Sequence, residues 1–423
     1  MTALWRSLGW ALCFLAILCT RLAAEEPPLS LRDLVDEALQ KNPEILAAQA
    51  KANAARQRVS QTGSLPDPML SVGYQNEGLS KYTYGESPDA QWMFSASQTF
   101  PFPGKRSLKE DAATLEDESA AAAVDAVRVR IVSRLAESYY NLFLVHKDGE
   151  LINVRLPLIR KVEELALARY AAGVGPQTDV IMAQTEKYLL MEKQEMNRRR
   201  QEALEAMINK TLGREVNRPL GMPVELPPTP YAHTLDELLP NVAEKAPELI
   251  SQKKMLFASE RGLQSARRET WPDITLTATY ANRAGGYQDM WGLSAGITVP
   301  IFYARKQKAG IDEALWNLST AQREFEASRL ALAADIRDNL AMVQAAERLM
   351  GLYKNGLIPK TRQDVDAALA NYAAGKLEAG TVLVKLKAAF DYELLYWQQY
   401  VERENAIARL TALTGAFGKE EER

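Results

Sequence analysis

The chain has 423 residues, of which 47% are hydrophobic and 25% charged, and its formal net charge is −3. That composition belongs to a globular chain rather than a disordered one, with length for two or three ordinary domains or one elongated body. A charge so close to neutral, without a basic cluster interleaved with aromatics, excludes nucleic acid as the main partner.

The first segment carries Arg6, a 12-residue apolar run from Leu8 to Cys19, and small residues at Ala23 and Ala24. The run is too short for a bilayer and has the charge, apolar core and small-residue end of a secretory signal, so residues 1–24 are expected to be removed near Ala24. A short N-terminal anchor is the alternative. Cys13 and Cys19 each follow a leucine, which does not read as a lipidation site. Removal of residues 1–24 takes both cysteines with Arg6 and Arg21, leaving a charge of 49 − 54 = −5. The mature chain then has no disulfide, no thiolate metal site and no cysteine nucleophile. No other apolar run suits a transmembrane helix, so a membrane location has to rest on strands.

From residue 25 to 212 the chain reads as one structural repeat. A helix of about 30 residues is expected from Leu31 to about Thr62, then strands over 68–76 and 91–100. A long helical run follows over 104–172, broken at Gly149 and Pro157, and a return helix over 177–212. Residues 213–234 form a connector: five prolines fall within 219–230, and proline fixes φ and removes a donor. A second repeat, 235–415, restates the first: a helix from Leu235 to about Thr270, strands over 273–282 and 290–299, a long run over 304–374 broken at Gly351 and Pro359, and a return helix over 378–414. Residues 416–423 are a tail.

The repetition is visible in the punctuation. Pro43 and Pro247 are 204 positions apart, as are Pro68 and Pro272. QTFPFPGKR (98–106) parallels ITVPIFYAR (297–305). Gly149 and Gly351, Pro157 and Pro359, RYAAG (169–173) and NYAAG (371–375), and Leu-Gly at 212 and Thr-Gly at 414 all share an offset of 202. Proline and glycine kept in step over such a span indicate a tandem duplication.

The long runs carry 4–3 spacing. In the second, Ile311, Leu315, Leu318, Phe325, Leu332, Ile336 and Val343 fit one stripe interrupted by Gln322, Arg329 and Asn339. That pattern predicts coiled-coil-like packing. Roughly 70 helical residues at about 1.5 Å each reach on the order of 100 Å, with kinks at the prolines, a length that suits the wall of a tube.

The strands alternate greasy and small. Ile274, Leu276, Ala278 and Tyr280 alternate with threonines; Trp291, Leu293, Ala295, Ile297 and Val299 alternate with Gly292, Ser294, Gly296 and Thr298. Four strands cannot close a barrel, and an open ribbon with an apolar face exposes unpaired backbone. Sharing one barrel among copies solves both problems: two chains supply eight strands, three supply twelve and room for a wet channel. The small face then lines the lumen. Tyr74, Trp92, Phe94, Phe100, Tyr280 and Trp291 form an aromatic girdle against lipid. An ordinary sheet packed on helices is the alternative.

With the duplication, the strand pairs and the two YAAG turns in place, the chain resembles the TolC-type outer-membrane efflux proteins over essentially its whole mature length. SLPDPMLSVG (64–73) and SQTFPFPGKR (97–106) look most like the branch serving heavy-metal and related RND pumps. The resemblance implies a mainly α fold with a small β part: a homotrimer whose twelve-stranded barrel in outer-membrane lipid continues into a long-helix barrel across the periplasm. It implies a periplasmic adaptor (a membrane fusion protein) and an inner-membrane RND or ABC pump as partners. The adaptor would meet the hairpin tips, which here are Arg169, Tyr170, Gly173, Val174 and Gly175, then Asn371, Tyr372, Gly375 and Lys376. Plain helix caps with packed tyrosines are the bland alternative. Related ducts narrow beyond the tip with an acidic ring; the matching positions here are Thr381 and Val384, a departure from that pattern. Asp179, the first-repeat counterpart of Thr381, would supply an anionic ring if it faced the lumen, or would simply favour the start of its own helix.

No HExxH, GxSxG or phosphate loop is present, so no enzyme is expected, nor any cofactor or resident metal. His146 and His233 read as structural. Met69, Met93 and Met290 read as filling an apolar face, with a soft-metal path as the alternative. The expected function is a passive exit duct for small solutes, metal ions among them. A type I protein-secretion duct is the rival in the same class, and a soluble periplasmic coiled-coil adaptor or scaffold the rival from another.

Overall fold

A computed structural model describes residues 28–415. The predicted signal peptide and C-terminal tail lie outside the described residues. The chain divides into two compact units: one takes residues up to Asn42, Val132–Tyr231 and Met342–Ala408; the other takes Pro43–Ile131, Ala232–Ala341 and the chain from Arg409 on.

Each repeat opens with two helices where one was expected. In the first they are α1 (Leu31–Lys41) and α2 (Pro43–Gly63), and Asn42 between them is extended, with ψ 124°. The second repeat breaks the same way, between α5 (Leu235–Lys245) and α6 (Pro247–Arg268), at Ala246 with ψ 117°. The ring of Pro43 or Pro247 clashes with a helical predecessor, so the residue before it leaves the α region while the proline starts a new helix. Between those pairs lie α3 (Lys105–Ala171) and α4 (Gln177–Thr211).

The expected break at Gly149 and Pro157 does not occur: α3 runs unbroken for 67 residues with Pro157 inside it. The second long run does break. After α7 (Gln307–Leu352) the ladder widens into a π-helix at Tyr353–Leu357 before α8 (Ile358–Ala373) and α9 (Ala379–Thr414). A π turn directly before Pro359 shifts the ladder by one residue, which accommodates an imino acid that cannot donate. The 4–3 stripe of α7 is buried only toward its C-terminal end, at Leu332, Ile336 and Val343; Leu315 is exposed. An α-helix at 3.6 residues per turn drifts away from a strict seven-residue repeat, so one straight stripe cannot stay on one seam.

The strands form one antiparallel sheet in the order β1 (Met69–Gln75), β2 (Gln91–Phe100), β3 (Ile274–Arg283), β4 (Met290–Ile297). Val299, expected in the last strand, lies beyond it. The central ladder joins the repeats, from Phe100 opposite Ile274 to Gln91 opposite Arg283. Where the sheet meets the helices, Lys105 is only 4% exposed. Its Nζ lies 2.9 Å from Asp273 and 3.2 Å from Glu269, and Lys109 also reaches Glu269 at 2.7 Å. The Phe102 N–H donates to Asp273 at 2.8 Å, and the Phe102 ring stacks on Trp271.

In the other unit the core draws on α3, α4, α8 and α9, through Ile159, Val162, Ala183, Val382 and Leu386 among others. The proline-rich connector is bolted to this unit. The Tyr139 hydroxyl reaches the carbonyls of Leu29 and Val224, and the Tyr400 hydroxyl donates to that of Leu226. Buried Arg403 donates to the Thr229 carbonyl at 2.8 Å, and buried Glu404 accepts from the Thr229 hydroxyl at 2.6 Å. Backbone that proline keeps out of helices and sheets thus finds its partners in side chains.

Candidate functional site

The sheet sorts its residues by face. Facing partners on neighbouring strands share a side, so the register places Val72, Phe94, Tyr280 and Trp291 in one row across all four strands. Leu70, Tyr74, Trp92, Phe100, Ile274, Leu276, Leu293 and Ile297 lie on that face too. Every expected girdle residue is there, and Trp92, Phe94, Phe100, Tyr280 and Trp291 are exposed. Tyr74 is half-buried beneath Tyr82, stacked at 4.9 Å, and lies against Trp92 at 5.1 Å.

The opposite face is small and polar. Ser71 meets Ser95, Thr99 meets Thr275 at 3.0 Å, and Thr277 faces Ser97 and Ser294. Met69, Met93 and Met290 fall on this side, not on the apolar face where they were expected: Met69 faces Ser97, and Met93 and Met290 both flank Ala281. Alternation alone groups Met69 with Ser71, Met93 with Ser95 and Met290 with Gly292; reading methionine by its hydrophobicity instead of its position in the alternation assigned the wrong side. β1 and β4 each end the sheet with an edge unpaired among the described residues.

The second group of candidate residues gathers at the two helical hairpins. Both turns have the same backbone. Gly173 and Gly375 sit at φ +73° and +74°, in the left-handed region that a side chain disfavours. Their N–H groups donate to the carbonyls of Tyr170 and Tyr372 at 2.9 and 3.0 Å, and Val174 and Lys376 donate to those of Arg169 and Asn371. The side chains differ. Tyr170 is 46% exposed, and Val174 and Gly175 lie at the turn surface or near it; Tyr372 is fully buried, while Asn371, Gly375 and Lys376 are exposed.

Two first-repeat side chains grip the second hairpin. Arg169 Nη1 donates to the Tyr372 carbonyl at 2.8 Å, and its guanidinium lies 5.1 Å from the centre of the Tyr372 ring. Asp179 Oδ2 accepts from the Ala379 N–H at 3.3 Å, at the first residue of α9, where a helix start offers a free donor and a favourable dipole. The expected anionic ring requires a carboxylate open to water; Asp179 is 6% exposed. Thr381 and Val384 are exposed on α9, Val384 at 67%. Burial, and secondarily the charge of Asp179, pushes the Tyr372 phenol above its ordinary range.

His146 is half-buried in the helical core of its unit, and burial lowers its pKa; His233 lies beside Glu237. Among the described residues no group of His, Cys, Asp or Glu is arranged to hold a metal, and no helix is long and apolar enough to cross a membrane. Sequence reasoning missed the Lys105 network and the clasp on the connector. Repetition could not flag Lys105, because Ala304 stands opposite it in the second repeat. A signal for the clasp existed: Arg403 and Glu404 sit where the return helix should bury apolar residues.

A family model described as outer membrane efflux protein matches residues 34–214 and 238–416. The chain is 22% identical over 377 residues to the cobalt-zinc-cadmium resistance protein CzcC of Cupriavidus metallidurans, covering 87% of this chain and 86% of that one. It is 23% identical over 301 residues to the pyoverdine export outer membrane protein OpmQ of Pseudomonas aeruginosa, covering 69% of this chain and 61% of the relative. Among solved structures, the Campylobacter jejuni CmeC outer membrane channel superposes with a TM-score of 0.80 at 13% identity, over 93% of this chain and 90% of that one. The match over both repeats, on a fold of four antiparallel strands and long helices, makes the chain a member of the outer membrane efflux protein family, a channel of the Gram-negative outer membrane and not an enzyme.

Proposed function

We propose that the chain works as a homotrimer, each copy giving four strands to a twelve-stranded barrel that passes small solutes outward without a cofactor. The observation that carries this reading is the sheet: one exposed face of Leu, Ile, Val and aromatics, an opposite face mostly of Ser, Thr and Gly with Met69, Met93 and Met290 among them, and two edges unpaired among the described residues. Lipid accepts the first face and a water-filled lumen the second, and neighbouring copies satisfy the edges. A soluble scaffold has no use for that greasy face.

The hairpin tips are the proposed docking point for a periplasmic adaptor, which links the channel to an inner-membrane pump of the RND class. Exposed Tyr170, Val174, Asn371 and Lys376 supply the contact. Asp179, Thr381 and Val384 form the gate just past the tips: Asp179 fastens the start of α9, and Thr381 and Val384 present its surface. Relatives named for metal resistance and for pyoverdine export support small solutes, metal ions included, as cargo. Unboiled gels of purified protein should show a heat-sensitive band at three times the chain mass. Bilayer recordings should show ion conductance. A monomer in the soluble periplasmic fraction overturns the reading. Co-purification with an ABC exporter instead of an RND pump moves the channel to protein secretion.

A further inference from the structure

We infer that the helix end of the sheet carries a basic collar that binds the phosphate headgroups of anionic lipid in the periplasmic leaflet. The inference rests on the barrel proposed above, which puts that end of the sheet at the periplasmic surface of the membrane. Four stretches enter or leave the strands there: residues 64–68, 101–109, 267–273 and 298–308. Asp273 draws three of them together. Its carboxylate accepts from the Phe102 N–H and pairs with Lys105, and its carbonyl accepts from the Thr298 N–H at 3.0 Å. The second stretch carries Lys105, Arg106 and Lys109, the third Arg267 and Arg268, the fourth Arg305, Lys306 and Lys308. Against these eight cations stand Asp67, Glu269 and Asp273, so the collar holds a charge of 8 − 3 = +5 in a chain whose total is −3. The loops at the other end of the sheet are acidic: residues 76–90 and 284–289 carry Glu77, Glu86, Asp89 and Asp289 against Lys81. No single stretch of the collar holds more than three cations, so only the fold assembles it.

Three of the cations have work inside the chain. Lys105 and Lys109 neutralise Glu269 and Asp273, and Arg268 donates to the Pro103 carbonyl with its guanidinium over the Phe102 ring. The others do not. Arg106, Arg267, Arg305, Lys306 and Lys308 are exposed, and none forms an ion pair among the described residues. Helix dipoles give them no reward either. α1, α2, α4, α5 and α6 have acids in the first turn, whereas α3 and α7, which follow strands, have none and begin Lys105–Arg106 and Gln307–Lys308. A cation at a helix start is opposed by the dipole, so these charges are unfavourable until an anion lies beside them. Next to them is apolar surface: Trp271, Val299, Ile301, Phe302 and Tyr303 are all exposed. Val299 and Ile301 extend the alternation of Ile297 past the end of β4. Free phosphate would answer the charge and leave those side chains wet. A lipid answers both, its acyl chains on the apolar residues and its phosphate on the cationic heads of long side chains.

The test uses full-length protein purified in a neutral detergent and titrated with dioleoyl phosphatidylglycerol or dioleoyl phosphatidylcholine, with bound lipid counted by native mass spectrometry. The wild type should bind the anionic lipid about tenfold more tightly, and the variant Arg106→Gln/Arg305→Gln/Lys306→Gln/Lys308→Gln should bring the two lipids within about twofold. Arg106→Lys/Arg305→Lys keeps the charge and should keep the preference. Arg199→Gln/Arg200→Gln, a loss of charge on exposed α4, should keep it too. Equal binding of both lipids by the wild type overturns the inference. So does a preference that survives the fourfold variant, or one that Arg199→Gln/Arg200→Gln removes as well. Displacement of the anionic lipid by an equal concentration of inorganic phosphate overturns the lipid assignment. If the fourfold variant keeps its lipid preference and loses co-purification of a periplasmic adaptor, the collar is a protein-docking surface and the inference fails. If the wild type shows no heat-sensitive band in either lipid, the barrel reading fails and takes the inference with it; a normal band with no lipid preference overturns the inference alone.

Discussion

The two repeats share a backbone and divide the labour of fastening it. Their turns at Gly173 and Gly375 match in dihedral and in hydrogen bonding. Yet four charged residues of the first repeat that fasten the structure have uncharged counterparts in the second. Arg169 has Asn371 as its counterpart, Asp179 has Thr381, Lys105 has Ala304 and Glu37 has Asn241. Each first-repeat member makes a specific bond: Arg169 to the Tyr372 carbonyl, Asp179 to the Ala379 N–H, Lys105 to Asp273, Glu37 to Arg214. Duplication supplied two equal frames, and the frame that holds was free to diverge from the frame that is held.

That division can be broken most severely at Lys105. Replacing it with Met leaves Asp273 and Glu269 without a shared cation, and about 2–3 kcal/mol of stability should go, since both carboxylates keep some contact with water. Thermal unfolding in detergent measures it. The mirror change, Ala304→Lys, is expected to add nothing. At the tips, Arg169→Ala removes a charge-assisted bond of about 1.5–3 kcal/mol; bilayer recordings should show more frequent opening. Asn371→Ala, at the equivalent turn, should leave gating as it is.

Glu37 tests the comparison through pH. The hydrogen bond from Arg214 holds its carboxyl down at about 2 against an ordinary value of 4.5; burial opposes this, and Lys41 adds to it. A depressed pKa means that the stabilisation is fully present above pH 4.5 and drains away as pH falls toward 2. Glu37→Gln should therefore lower the melting temperature at neutral pH and flatten its decline over that acid range. The smallest effect is expected at Tyr170. Its ring is exposed where its counterpart is buried, so Tyr170→Phe should change stability by less than about 0.5 kcal/mol.

How much of this was legible depended on whether a feature repeats. Pro43 and Pro247, the strand alternation and the YAAG turns are backbone requirements, and duplication wrote them twice. The same proline signal misled inside α3: Pro157 and Pro359 are equivalent in sequence, but only the second sits beside a π turn. A proline removes one hydrogen bond, and packing around the helix decides whether the ladder bends or breaks. The fasteners were hidden for the opposite reason. Lys105 and Arg169 meet partners more than 160 residues away in sequence, at Asp273 and Tyr372, and no local pattern announces such a pair. Asp179 was readable as a helix-start residue, but not that the helix it caps belongs to the other repeat.

The ladder between β2 and β3 has a consequence for biogenesis. Its partners lie between 274 − 100 = 174 and 283 − 91 = 192 positions apart, so the seam cannot zip until most of the polypeptide has been delivered. Loop closure over such a separation is slow, and until it happens the first hairpin, β1 with β2, is a sticky ribbon in transit. A truncation ending in the proline connector should leave that ribbon permanently bare and accumulate as an aggregate or a proteolytic fragment. The full chain should instead show a lag between export and the appearance of its heat-sensitive band.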